Sequence, residues 1–385
     1  MTPSAHAASR YFGGCPAAEP LVAGTTWHSH QLAPGVTLLE GDKTDDNGRG
    51  LVKMHVLRIA MGTPGISLKP LVHSVAERTP LSQLAAGHPH LIAAVNTGYF
   101  DFGTGAPTQP LIVDSQPLVM AGHLERVFGV NASGALQYGR VKLAATLFDG
   151  KKSYPLSGLN EAVNGDGMRA YNAAWGGESV PSGWSWQAEA RAVVGSKLGG
   201  NAGRDAHVPA GGYELMSHGS SATNWLSSLA SGSTTGLAAK VKSTTVQPFV
   251  QAIGVGAELV TQYGQTRNNL PCNSANTITP ARTAIGIAQN GKLLVIGEVE
   301  DHPGTNVHGL DENGMSGFMA QLGVDRAFLL DGSGSTELLA KMPGTSNLAQ
   351  RTYPADGQER PMPVGLGISY VKPKVVKHHH HRRHH

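Results

Sequence analysis

Along this chain, apolar residues gather in short runs that stop abruptly at small and polar ones. Leu51-Val-Lys-Met-His-Val-Leu-Arg-Ile-Ala60 alternates around Met54 and Val56, the period-two pattern of a half-buried strand. Gly35–Glu40 predicts the strand before it, and the acidic stretch between them lacks EF-hand spacing and reads as a solvated turn. Thr79–Ala86 predicts a short helix, stopped by Gly87 and Pro89. Leu91-Ile-Ala-Ala-Val95 is a continuous apolar run that ends in Asn96-Thr-Gly-Tyr-Phe-Asp101, a strand with a polar tip. Val113–Val119 and Phe128–Tyr138 predict hairpins, the latter turning at Ser133-Gly134. Ala281–Gln289 and Lys292–Glu300 predict a further pair, joined by a type I′ turn at Asn290-Gly291, because these residues tolerate positive φ.

Between Leu310 and Leu322, the residues Met315, Phe318, Met319 and Leu322 recur at helical spacing, and Gly323 ends the run. The chain then returns to a strand at Arg326-Ala-Phe-Leu-Leu330, which delivers Asp331-Gly-Ser-Gly-Ser-Thr336. Helix followed by strand predicts an α+β fold, with a mixed, largely antiparallel sheet, flanking helices and long Gly/Ser-rich loops over residues 160–245. No repeat of fixed period is present. Residues 1–30 read as an arm, 31–370 as one domain, and 371–385 as a basic, His-rich tail or tag.

Composition refines this picture in three ways. The 50 Gly and 23 Pro among 385 residues favour many turns and short strands. Of the 30 Lys and Arg, five lie in the tail, leaving 25 against 27 Asp and Glu in the rest, so no basic stripe for nucleic acid exists. No apolar run reaches the ~18 residues of a membrane span. Ala5-His6-Ala7 resembles a signal-peptide cleavage site, so the arm predicts a secreted or cell-surface chain. The two cysteines, Cys15 and Cys272, agree with that if they are paired, although two free thiols also fit. Trp175, Trp184 and Trp186 crowd one segment, where they either stack on sugar rings or pack under a loop.

The chemistry concentrates at strand tips. Asp331 is an acid that burial alone does not want, and the glycines beside it suit an N–H nest for an anion. Val95–Asp101, Arg282-Thr-Ala-Ile-Gly-Ile287 with its hairpin, Leu329–Ser335 and the closing Glu359–Val364, in this order, resemble the phosphodiester glycosidase family. The similarity extends from about Gln31 to Tyr370. Two departures stand out. Ser333 interrupts a run of three glycines usual in that family, and Glu298, Glu300, Asp301 and His302 stand where an acidic-Gly-Arg tip is expected.

The resemblance implies hydrolysis of a sugar-1-phosphodiester, with a phosphorylated carbohydrate as partner. Asp331 is then the principal carboxylate, with Glu300 or Glu298 beside it. Arg282 clamps phosphate. Gly332, Ser333, Gly334, Ser335 and Thr336 form the phosphate cradle, Asn96 and Asp101 bond sugar hydroxyls, and His302 stands in for the basic residue. Each has a blander reading: Arg282 in a surface ion pair, Asn96 and Asp101 in turns, His302 in a loop. No cofactor is required by the sequence. A divalent cation is compatible with the acids, but no ligand spacing demands one. Two other classes stay open: a non-catalytic glycan-binding protein and a two-carboxylate glycoside hydrolase.

Overall fold

The computed structural model describes residues 20–44, 50–161, 165–176, 189–201, 207–262, 264–267, 270 and 279–374. Cys15, Cys272, Trp184, Trp186, most of the arm and the His-rich tail lie outside them.

The central sheet has eight antiparallel strands. Its middle holds β1 (Leu51–Ala60), and a second sheet of five strands has β2 (Leu91–Asn96) at its centre. Further along the chain come β3 (Arg282–Ala288), β4 (Leu293–Val299), β5 (Arg326–Leu329) and β6 (Leu338–Ala340). In the eight-stranded sheet the order is Thr26–Ala33, Val36–Thr44, β1, β4, β3, β5, Glu258–Thr261 and Gln265–Thr266. In the five-stranded sheet it is Ala349–Gln350, β6, β2, Gly365–Tyr370 and Ile66–Leu71. A third, twelve-stranded sheet is built mainly from residues 111–254.

Alternation assigns the faces. Leu57 and Ile59 of β1, Ile285 and Ile287 of β3, Leu294 and Ile296 of β4, and Phe328 of β5 share one core with Ile92, Val95, Leu338 and Ile368 of the five-stranded sheet. The intervening residues, including Met54, Ala284 and Val295, form a separate core with Met315, Phe318 and Met319. These last three belong to a helix, Glu312–Gln321, whose first turn is capped by the Asp311 side chain accepting from the Gly314 N–H at 2.7 Å. A Cβ on Gly297 would lie 2.9 Å from Met319 Sδ and 3.1 Å from Phe318 Cε1, so this position must be small for the helix to approach.

The α+β expectation is overturned. Strands occupy 47% of the chain and helix only 8%, in three short helices among the described residues, so the fold is mostly β. The 160–245 region shows the discrepancy clearly. It contributes Gly167–Asn172, Glu189–Val194, Lys197–Asn201, Gly212–His218 and Thr235–Ser243 as strands and only Ser220–Ser227 as helix. Gly and Ser dilute its alternation. Its strand state comes from cross-strand partners, such as the six-residue register of Gly167–Asn172 on Tyr213–His218, which local sequence does not record.

The β3–β4 hairpin forms as expected, but the loop is different. Gln289, Asn290 and Gly291 all have positive φ (53°, 56° and 88°), so the turn centres on Gln289-Asn290 and Gly291 follows it. The helix near residue 80 is Leu81–Ala85 and the hairpins near 113 and 130 are present. Trp175 is buried edge-on to Tyr171, the core alternative of the two readings.

Phe318 has no exposed surface and joins the helix to β3 and β4. Phe318→Ala is expected to lower unfolding free energy by about 3–5 kcal/mol, read by urea or guanidinium titration.

Candidate active site

β5 ends where the two smaller sheets meet. The Leu330 N–H donates to the Thr283 carbonyl on the neighbouring strand, and the Asp331 N–H donates to the Thr97 carbonyl just beyond β2, at 2.8 Å. The chain thus leaves one sheet and joins the other within two residues, and Asp331 stands at the junction. Its Oδ1 accepts from the Gly332 N–H at 2.9 Å. Burial raises the Asp331 pKa above the ordinary carboxylate value, although the Ser335 hydroxyl, the Gly332 N–H and the charges of Arg360 and Arg282 oppose the shift.

The loop after Asp331 is less of a nest than its glycines suggest. The Ser333 N–H donates to the Ala281 carbonyl, that of Ser335 to Gly332, and that of Thr336 to Ser333. With the Gly332 N–H on Asp331, four of the five N–H groups from Gly332 to Thr336 are engaged within the protein. The positive charge beside this loop comes from two arginine side chains. Arg282, at the start of β3, donates Nε–H to the Leu310 carbonyl at 3.1 Å, which leaves its terminal nitrogens beside Gly332. Arg360 donates twice to Asp356 (2.7 and 3.0 Å) and once to Ser335 Oγ (3.3 Å). A Cβ on Gly334 would fall 2.1 Å from Asp356 Oδ2 and 2.2 Å from an Arg360 nitrogen, so a side chain there would displace the Asp356–Arg360 pair.

Asn96 is fully buried. Its Nδ2–H donates to the Asp331 carbonyl at 2.8 Å, and its Oδ1 accepts from the Thr283 hydroxyl at 2.7 Å and the Glu337 N–H at 3.3 Å. This amide therefore positions the loop. Asp101 also serves the chain locally: its Oδ1 accepts from the Thr104 N–H and hydroxyl, closing a turn.

Glu300 and His302 form a neighbouring network. His55 bridges Glu40 (3.2 Å) and Glu300 (2.7 Å), while the other oxygen of Glu300 bonds His302. The His302 ring lies 4.1 Å from that of Tyr353, whose N–H also donates to Glu300. Burial would lower the His55 pKa, but the two carboxylates raise it to about 9, so it is a buried imidazolium. Burial would raise Glu300, and the bonds from His55, His302 and Tyr353 bring it below the ordinary value.

Glu298 lies between the networks, on the face shared by His55 and Thr283. It is 1% exposed and neither carboxyl oxygen has a hydrogen-bond partner among the described residues. Burial drives its pKa to about 8, outweighing the opposing charge of His55, with Glu300 adding to the rise. Glu337 is similarly raised to about 8 by burial and by Glu359 and Glu298. Among the described residues, no group of three or more His, Cys, Asp or Glu is arranged to hold a metal ion.

Asp331, Arg282, Asn96 and the 332–336 loop thus come together. Glu300 and His302 form their own cluster, and Asp101 is taken up by its own turn. Arg360, His55 and Glu337 were missed by sequence reasoning. Arg360 carried a signal, lying inside the closing Glu359–Val364 segment, and His55 carried another, being a polar residue on the face of Leu57 and Ile59.

A phosphodiester glycosidase family profile matches residues 199–369. That segment carries a phosphodiester glycosidase domain. It includes β3 to β6, and with them Arg282, Asp331, the Gly-Ser loop and Arg360. No curated protein matches the chain. Among solved structures, a hypothetical protein from Synechocystis superposes with a TM-score of 0.71 at 20% identity, over 91% of this chain and 64% of its own. The chain therefore spans about two thirds of that relative. A protein from Burkholderia pseudomallei K96243, described as exported, gives 0.65 at 18% identity, over 83% and 74%. These two establish the fold. The catalytic domain of zebrafish N-acetylglucosamine-1-phosphodiester alpha-N-acetylglucosaminidase, auto-inhibited by its pro-peptide, gives 0.48 at 17%, over 93% and 90%.

Ser333, at the position where the phosphodiester glycosidase pattern has glycine, adopts φ 56°. A left-handed conformation costs a residue with a Cβ roughly 1–2 kcal/mol, part of which glycine returns in the unfolded chain. Ser333→Gly is expected to raise stability by up to about 1 kcal/mol in chemical denaturation.

The pH dependence follows from Glu298, Glu337 and His55. All three have folded pKa values above their ordinary ones, so the folded state binds more protons than the unfolded. Their stabilisation is complete below about pH 4.5 for the glutamates and 6.5 for His55, and is lost as pH rises through about 8 and 9. Glu298→Gln mimics the neutral acid. Its unfolding free energy should be close to that of wild type near pH 5 and exceed it near pH 8.5 by roughly 1–3 kcal/mol, read by chemical denaturation at the two pH values.

Proposed function

We propose that this chain hydrolyses the bond between the anomeric carbon of a sugar and a phosphodiester oxygen. Water oxygen bonds to the anomeric carbon, the carbon–oxygen bond to phosphate breaks, and a phosphate monoester leaves with that bonding pair. Because phosphate monoester is a good leaving group, little general-acid help is needed. The demand is for cations on the phosphate and one carboxylate for the water or for the oxocarbenium-like transition state. The observation that carries this reading is Asp331 at a sheet junction, where the charges of both Arg282 and Arg360 act on its carboxylate.

In this reading, Asp331 takes the proton from water, and its raised pKa makes it a better base. Arg282 and Arg360 hold the phosphate, assisted by Ser333, Ser335, Thr336 and the Gly334 N–H. Gly332 keeps the Asp331 carboxylate in place. Glu300 with His302 supplies charge from the adjacent tip, and Glu298 sits beneath as a neutral acid. Asp101 meets the sugar from the rim. The functional unit is residues 31–370. The substrate belongs with cell-surface glycans, such as teichoic-acid-like or exopolysaccharide phosphodiesters, a choice supported by the exported relative. None of the described helices is long and apolar enough to cross a membrane.

A panel of sugar-1-phosphodiesters and plain glycosides, assayed with and without chelator, tests the proposal. Turnover confined to phosphodiesters is expected, and turnover confined to plain glycosides would refute it. Asp331→Asn, which keeps the shape, should lower kcat by about 100-fold or more. Near wild-type kcat in that variant would exclude Asp331 from the role.

A further inference from the structure

Beside the Gly-Ser loop stands an aromatic side chain with no role so far. Phe102 is 63% exposed, and no other Phe, Tyr or Trp among the described residues is as open to solvent. A singly exposed ring is ordinary; one whose backbone is held beside a candidate site is a candidate contact for a ligand. The ring is indeed held. The Asp101 N–H donates to the Ala106 carbonyl, the Gly105 N–H donates back to Asp101, and the Asp101 carboxylate caps the turn through Thr104. One side of the ring meets Phe100 at 4.9 Å, and the Arg360 guanidinium carbon lies 5.6 Å from its centroid. Arg360 in turn donates to Ser335, which hydrogen-bonds Asp331. Phe102 is therefore one side chain away from the candidate phosphate site.

We propose that Phe102 is the sugar platform of this site, stacking on the C–H face of a pyranose whose 1-phosphate is held by Arg360 and Arg282. This rests on the function proposed above. The surroundings favour a sugar over a protein partner. The Arg360 guanidinium lies over the ring and is itself bonded to Asp356, so the exposed ring has an ion pair beside it, whereas protein-docking patches are contiguous and apolar. A pyranose has the matching form, with axial C–H groups on one face and hydroxyls round the edge. Two hydrogen bonds from Arg360 to Asp356 hold the guanidinium between the ring and Ser335.

The test compares wild type with Phe102→Ala and Phe102→Trp on whichever sugar-1-phosphodiester is turned over. Phe102→Ala should raise KM about five- to tenfold with kcat within about twofold, and Phe102→Trp should restore KM. Because the ring is exposed, melting temperatures should not change. An unchanged KM in Phe102→Ala overturns the proposal. So does a fall in kcat at constant KM, which would mean that the ring acts only by steadying Arg360. If wild type turns over no phosphodiester, the proposed function fails and the platform is judged by binding alone. Saturation-transfer NMR with glucose 1-phosphate and N-acetylglucosamine 1-phosphate should then show contacts to ring protons of at least one sugar, lost in Phe102→Ala. No ring contact from either sugar in wild type would overturn it.

Discussion

One buried amide holds the candidate site together. Asn96 lies at the end of the central strand of one sheet and bonds the Asp331 carbonyl, the Thr283 hydroxyl and the Glu337 N–H, all delivered from beyond that strand. Only a side chain with both donor and acceptor serves there, since aspartate would lose the bond to the Asp331 carbonyl. A satisfied hydrogen bond contributes about 1 kcal/mol, whereas an orphaned buried partner costs about 1–3 kcal/mol. The arrangement is therefore specified more by what happens if it is broken than by what it adds. Asp331 does not depend on its own side chain for its place, because its backbone is tied at both N–H and carbonyl.

Away from the tips, the space between the two smaller sheets is apolar. Towards them it turns polar along a row that crosses the strands: His55 pairs with Glu298, and Glu298 with Thr283, all on one face. Opposite Thr283 stands Asn96. Such a row tolerates burial in two different ways. His55 is charged and paired on both sides, whereas Glu298 and Glu337 avoid charge by keeping their protons. The two solutions are linked, because Glu298 feels both His55 and Glu300.

Much of this was legible in the residues, and the failures have physical causes. Leu91–Val95 and Phe328–Leu330 announced buried strands by unbroken apolarity, and the polar residues after them marked the tips. Asp331 stood out because burial does not select a carboxylate. The role of Asn96 was misjudged because a polar residue at a strand tip looks the same whether it faces substrate or a second sheet. Only topology decides that. The glycines around Ser333 suggested free N–H groups, but whether an N–H is free depends on which carbonyl comes near, and here Ala281 arrives from 52 residues earlier in the chain. The balance of helix and strand failed over the Gly- and Ser-rich middle, where partners, not propensity, make the strands.

The way β4 is bracketed bears on the limits of the matched segment. β3 lies on one side of it and comes from within residues 199–369, while β1 lies on the other, in register from Met54 to Ala60, and comes from far outside. The clip residue Asn96 is likewise outside. The segment matched by the family profile thus depends on strands and side chains outside it. Taken alone, it would carry Arg282, Asp331 and Arg360 on a sheet with an open edge, and the carbonyl behind Asp331 would have lost its amide. The matched segment holds the candidate residues Arg282, Asp331 and Arg360, while the frame that positions them is drawn from well beyond it.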